Sequence, residues 1–171
     1  MLDGFLVARA LNEFLLGFST MFALINPPGV ALVFYGRTAA VPDKARARIA
    51  RRVATYSFYV MVGSLVLGSH VLTFFGISIA ALRMGGGLVV ALAGYSMLNA
   101  ADVEGAATMT EQQLERSAFF PMTMPLTTGP GTIAAAIALG ARESGDLGAQ
   151  LSGTVADLLV ALSVSATIFL C

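Results

Sequence analysis

Ile25-Asn26-Pro27-Pro28-Gly29-Val30 and Thr127-Thr128-Gly129-Pro130-Gly131-Thr132 each interrupt a long apolar stretch of this chain. At 1.5 Å per helical residue, the roughly twelve residues before each break amount to about 18 Å, near the middle of a hydrocarbon layer about 30 Å thick. Proline removes a backbone donor and clashes with the preceding turn, and glycine loosens the backbone further. A lone proline in a transmembrane helix often makes only a kink. Two Pro-Gly clusters at matching depths read instead as two stopped helices. Non-helical backbone at that depth is tolerated only inside protein or beside a water-filled cavity, so both breaks are expected to line a site.

The rest of the chain supports a bilayer setting. Hydrophobic residues make up 57% of the sequence and charged residues 12%, against about 45–50% and 25% in an ordinary soluble domain. The fold class expected is all-α: a polytopic transmembrane helix bundle of about five spans, near residues 14–35, 54–75, 77–98, 118–141 and 151–170. Residues 2–13 either lie along the interface or lengthen the first helix. The N-terminus lacks the basic stretch of a secretory signal peptide, so the first apolar run reads as a retained span.

Residues 1–99 form a first three-helix repeat and 100–117 a polar connector, while 118–171 begin a second repeat with two helices. Three spans is an odd number, so the second repeat starts from the opposite side. That is the arithmetic of a 3+3 inverted repeat with two broken helices, here incomplete. The connector carries Asp102, Glu104, Glu111 and Glu115 against Arg116 and reads as a solvated loop. Arg37, Lys44, Arg46, Arg48, Arg51 and Arg52, opposed only by Asp43, form a basic connector after the first span. Basic residues in short loops favour the cytoplasm, which places the N-terminus outside.

Chemistry at the breaks is specific. A half-helix starting near Thr132 offers free N–H groups and a positive dipole end, suited to a carboxylate. Half-helices ending near Ile25 and Thr127 offer carbonyls suited to an ammonium. Asn26, Pro27, Pro28 and Gly29 from the first break, with Thr127, Thr128, Gly129, Pro130, Gly131 and Thr132 from the second, are the candidate substrate-binding residues. The narrow run Ile133-Ala134-Ala135-Ala136 leaves little room, so a small zwitterion fits.

His70, Arg83 and Asp157 are ionisable residues inside spans, where charge is costly and usually faces the bundle interior. All three are expected roughly 8–10 Å below the outer boundary, by the rise per residue. They are candidates for gating or ion coupling, with an Arg83–Asp157 pair, or side chains that snorkel outward separately, as the structural alternatives. His70 alone suits a hydrogen-bonded packing position. The small residues Ala81, Gly85, Gly86, Gly87, Ala91 and Gly94 suit close helix packing.

An enzyme is disfavoured: one histidine and one terminal cysteine supply no nucleophile–base set and no metal site, and no cofactor is expected. The neutral formal charge gives no reason to expect a nucleic-acid partner. A non-transporting membrane subunit is the alternative class.

Four motifs carry a family resemblance: Ile25-Asn26-Pro27-Pro28-Gly29, Phe75-Gly76-Ile77-Ser78, Leu82-Arg83-Met84-Gly85-Gly86-Gly87, and Pro125-Leu126-Thr127-Thr128-Gly129-Pro130-Gly131-Thr132-Ile133. In this order, and spread over nearly the whole chain, they resemble the MarC family, also called the neutral amino acid transporter family. The resemblance implies a bacterial-type inner membrane protein linked to transport or export of small neutral amino acids such as alanine and glycine. The coupling ion, H+ or Na+, stays open. Members look like six-span proteins, whereas this sequence stops where a fifth span ends. That leaves either a truncated, inactive form or a homo-oligomer in which another copy covers the exposed face.

Overall fold

The computed structural model describes residues 2–99, 111–141 and 147–171, and these are overwhelmingly helical. The core of the former connector, residues 100–110 with Asp102 and Glu104, lies outside the described residues. Helix α1 runs Leu2–Ile25, so residues 2–13 lengthen the first helix. Helix α2 follows at Pro27–Thr38, α3 at Asp43–Phe74, α4 at Ile79–Asn99 and α5 at Glu111–Ser117. A π-helical segment occupies Ala118–Thr127, then come α6, Pro130–Gly140, and α7, Leu147–Leu170.

Among the described residues, Val7–Thr38, Asp43–Phe74 and Ser152–Leu170 are long and apolar enough to cross a bilayer. Helix α4 has 21 residues, about 32 Å at the standard rise. Helix α6 has 11 and covers only about half the hydrocarbon thickness. Its remaining depth is supplied by the π-helical segment. The surface is apolar where that of a soluble domain would be polar, and several hydroxyls are buried inside. Phe74 is 85% exposed and Leu32 and Met84 are each 77% exposed, while Thr38, Ser57, Thr123 and Thr128 are fully buried. Such a surface is at home in lipid and not in water.

Helix α3 has 32 residues, about 48 Å, which exceeds the hydrocarbon by several turns. Its first turns carry Lys44, Arg46, Arg48, Arg51 and Arg52. The basic cluster therefore lies on helix and not in a loop. Glu115 on α5 meets it: Arg48 Nη1 donates to Glu115 Oε1 at 3.3 Å and Arg52 Nη1 lies 3.5 Å from Oε2. The end of the acidic connector is thus a short helix paired to α3, not a solvated loop. Both charged segments stand on one side of the bundle, as the count of spans requires.

Two apolar clusters hold the bundle. One gathers Met21, Ile25, Met61, Leu65, Ala136, Val160, Ala161 and Val164 from α1, α3, α6 and α7. The other gathers Val41, Ala45, Ile49, Val53, Leu114, Ala118 and Met122 near the basic end of α3. Helix α7 packs along α1 and α3, α3 also packs on α6 and the π-helical segment, and α4 packs on α6. Between α3 and α4 the chain turns at Gly76, whose φ of 67° is open to glycine at no steric cost. The Gly76 N–H donates to Thr73 O and the Ile77 N–H to Leu72 O, closing α3.

Glycines set how near the helices come. A Cβ on Gly86 would stand 2.5 Å from Ala134 Cβ, one on Gly17 would stand 2.9 Å from Val160 Cγ2, and one on Gly140 would overlap the Leu65 carbonyl. Gly85 and Gly87 face open space. Of the three consecutive glycines in α4, one alone serves close packing.

Candidate functional site

The first break is one residue wide. Asn26 adopts the left-handed conformation, φ 48° and ψ 62°, which asparagine tolerates better than most residues. Its N–H donates to Phe22 O at 2.9 Å and its carbonyl accepts from Val30 N–H at 3.0 Å. The helix is offset there without a long unwound stretch, a smaller rupture than the Pro-Pro-Gly sequence leads one to expect. Pro27 takes the first helical position of α2, where a missing N–H costs nothing. Pro27 and Pro28 have no N–H to give, so the carbonyls of Ala23 and Leu24 lack their usual helical donors. The Asn26 side chain is held close, its Oδ1 accepting from Gly29 N–H at 3.4 Å.

The second break is longer than its Gly-Pro-Gly core. Phe120 (φ −128°, ψ 123°) and Met124 (φ −112°, ψ 122°) are extended inside the π-helical segment. Each precedes a proline, Pro121 or Pro125, and a residue before proline is driven out of the helical region. Thr128 and Gly129 are also non-helical before α6 begins at Pro130. Three buried hydroxyls knit the distorted backbone. Thr123 Oγ1 donates to Ala118 O at 2.7 Å, Thr127 Oγ1 to Met122 O at 2.8 Å and Thr128 Oγ1 to Thr123 O at 3.2 Å. Thr128 Oγ1 also lies 3.4 Å from Ser57 Oγ on α3. The protons of Thr127 and Thr128 are therefore committed to their own segment, leaving lone pairs as what they can offer a guest.

Two cavities are lined by residues that flank the breaks. The first, about 260 Å³, touches Pro27 from one break and Leu126 and Thr127 from the other; the second, about 390 Å³, touches Leu24 and Gly131. Pro27, Val30, Ala31, Phe34 and Tyr35 of α2 line the first, and Gly131, Ala134, Ala135, Ala138 and Leu139 of α6 line the second, each set one face of a helix. The two sets are two residues out of register with the match of Pro28-Gly29 to Pro130-Gly131, so the cavities do not rest on equivalent residues of the two motifs. They differ in bulk: Val30, Phe34 and Tyr35 line the first, and Ala134, Ala138 and Leu139 the second. They differ also in neighbours. Helix α4 closes the second cavity with Arg83, Gly86 and Gly87, while the first is bounded by α3 and the end of α7.

Not all candidate residues converge. Pro27, Thr127, Thr128, Gly131 and Thr132 are buried; Gly29 and Gly129 are half-buried; Asn26, Pro28 and Pro130 are exposed. Among the ionisable candidates, Arg83 lines the second cavity and is exposed there, His70 is exposed, and Asp157 is half-buried on α7. The Arg83–Asp157 pair is not formed. Arg83 rides on α4, which packs on α6, whereas α7 packs on α1 and α3. Pro121, Phe120, Met124 and Ser57 belong to the site's framework and were missed. The X-Pro pairs were the available signal for the first three, and nothing marked Ser57.

A model of the MarC family of integral membrane proteins matches residues 11–171. The chain belongs to the MarC family. It is 32% identical over 162 residues to a membrane protein of Archaeoglobus fulgidus, covering 93% of this chain and 72% of that one. A membrane protein of Methanocaldococcus jannaschii is 30% identical over 152 residues, covering 87% of this chain and 74% of its own. The inner membrane protein MarC of Escherichia coli is 35% identical over 127 residues, covering 70% of this chain and 58% of its own length. No solved structure matches. Both breaks and both cavities fall inside the region that defines this MarC family member.

Proposed function

We propose that this MarC family protein carries small neutral amino acids, alanine and glycine foremost, across the cytoplasmic membrane, holding them where the two helix breaks meet. The observation that supports this most is that residues flanking both breaks line each cavity: Pro27 and Thr127 in the first, Leu24 and Gly131 in the second. The groups there suit a zwitterion. Gly131 and Thr132 present N–H groups at the positive end of α6, and Ala23 and Leu24 present carbonyls that no helical donor uses. In this reading the basic turns of α3 face the cytoplasm and the N-terminus faces out.

Reconstitution into proteoliposomes with labelled alanine or glycine tests the proposal. Saturable uptake and exchange are expected, with imposed Na+ and H+ gradients separating the coupling ions. Unsaturable flux, or none for any small neutral amino acid, refutes it. The second reading, a non-transporting membrane subunit, is favoured by one feature: α6 has α4 against its outer flank, and α2 has no equivalent neighbour among the described residues.

A further inference from the structure

The second cavity carries one charged side chain. Arg83 lines it together with Thr20 and Leu24 of α1, Gly87 of α4, and Gly131 and Ala134 of α6. The Arg83 side chain makes no hydrogen bond or ion pair among the described residues, unlike Arg9 with Glu13, Arg46 with Asp43, and Arg48 and Arg52 with Glu115. It is the only charge on α4, between Ile79 and Asn99.

A guanidinium on an apolar span is costly unless it faces water, protein dipoles or an anion. The other walls supply no carboxylate. Its five donors form a planar fork that matches a carboxylate in two parallel bonds. A cavity of about 390 Å³ falls at the lower end of the roughly 300–1,000 Å³ typical of small-ligand sites.

We infer that this cavity is a carboxylate subsite, in which the Arg83 guanidinium binds the α-carboxylate of a small amino acid on its way to the helix breaks. The inference rests on the transport reading and names the residue that recognises the substrate's anionic end. Gly87 and Ala134 then bound the space left for the substrate side chain. Gly87 matters because it lines the cavity and a Cβ there meets nothing within 4 Å, so a larger side chain can be placed in the cavity without disturbing packing.

The test compares alanine with alaninamide, whose carboxylate is replaced by a neutral amide, in saturation binding to the purified chain and in proteoliposome flux. The unaltered chain is expected to prefer alanine at least about tenfold, the scale of a charge-assisted hydrogen bond. Arg83→Gln should erase that preference, and Arg83→Lys should keep part of it. Gly87→Leu should abolish alanine binding by filling the cavity, while Gly85→Leu, which also meets open space but lies outside the cavity, should not. This pair decides the matter if Arg83→Gln does not fold.

An unaltered preference in Arg83→Gln, or equal effects of the two glycine substitutions, overturns the inference. So does an Arg83→Gln change confined to dependence on anionic phospholipid, which makes the guanidinium a lipid anchor. Alanine binding that needs Arg83, without flux, would leave the subsite standing and remove the transport reading. Flux that ignores Arg83 would do the reverse.

Discussion

Gly86→Ala isolates the contact that holds α4 to the bundle. Its new Cβ would lie 2.5 Å from Ala134 Cβ, about 1.0–1.5 Å inside the roughly 3.5–4.0 Å at which carbons attract best. Helix α4 must move outward by that amount or the two backbones must shear. Overpacking of this kind costs about 1–3 kcal/mol, against which the gain in helix propensity is only about 1 kcal/mol. A net loss of up to about 2 kcal/mol is expected, and the partner is known, so it can be relieved. Ala134→Gly in the same chain removes the opposing methyl and should restore most of the loss. Unfolding in mixed micelles by denaturing detergent measures both, with Gly85→Ala and Gly87→Ala as references. These two face open space and should be neutral or stabilising by up to about 1 kcal/mol from propensity. If Gly86→Ala is as stable as Gly85→Ala, or if Ala134→Gly fails to rescue it, then α4 does not sit on α6 as described.

Three further outcomes follow from the geometry. Asn26→Ala forces a β-carbon without a helpful side chain into the left-handed region and should cost about 1–2 kcal/mol, while Asn26→Gly should cost little; detergent denaturation of the two variants shows the order. Thr128→Val removes the hydroxyl that bonds Thr123 O and leaves Ser57 without that neighbour, an expected loss of about 1–3 kcal/mol, readable in the same assay. Glu115→Gln breaks two half-exposed ion pairs and should cost under about 1 kcal/mol, shrinking further in high salt, as thermal unfolding over a salt series would show.

The bundle and its two breaks were legible in the sequence because each rests on a local cause. Apolar length specifies a span, and Pro27-Pro28-Gly29 and Gly129-Pro130-Gly131 specify interruptions. The extent of each break was less legible. Asn26 contains the first within one residue, because its left-handed conformation lets Asn26 N–H and Asn26 O keep their helical partners. Pro121 and Pro125 spread the second over a π-helical segment. Attention to the conspicuous Gly-Pro-Gly hid the weaker X-Pro signals just upstream. The start of α3 was misplaced for a related reason: charge marks where a chain leaves hydrocarbon, not where its helix ends. Arg48 and Arg52 are helical and in water together. Pairings around the bundle were beyond reach, since depth along an axis says nothing of the angle about it. Arg83 and Asp157, expected at one level, belong to helices with different neighbours.

A pair of mirrored halves built from identical sequence would hold its inward-open and outward-open forms at equal energy, because each form would be the other turned over. Here the walls are unlike: Phe34 and Tyr35 stand in the first cavity, Ala138 and Leu139 in the second. If the protein transports as proposed, unequal volumes of that sort give one opening a resting preference over the other. On that proposal, exchanging bulk between the two walls would shift which opening is favoured.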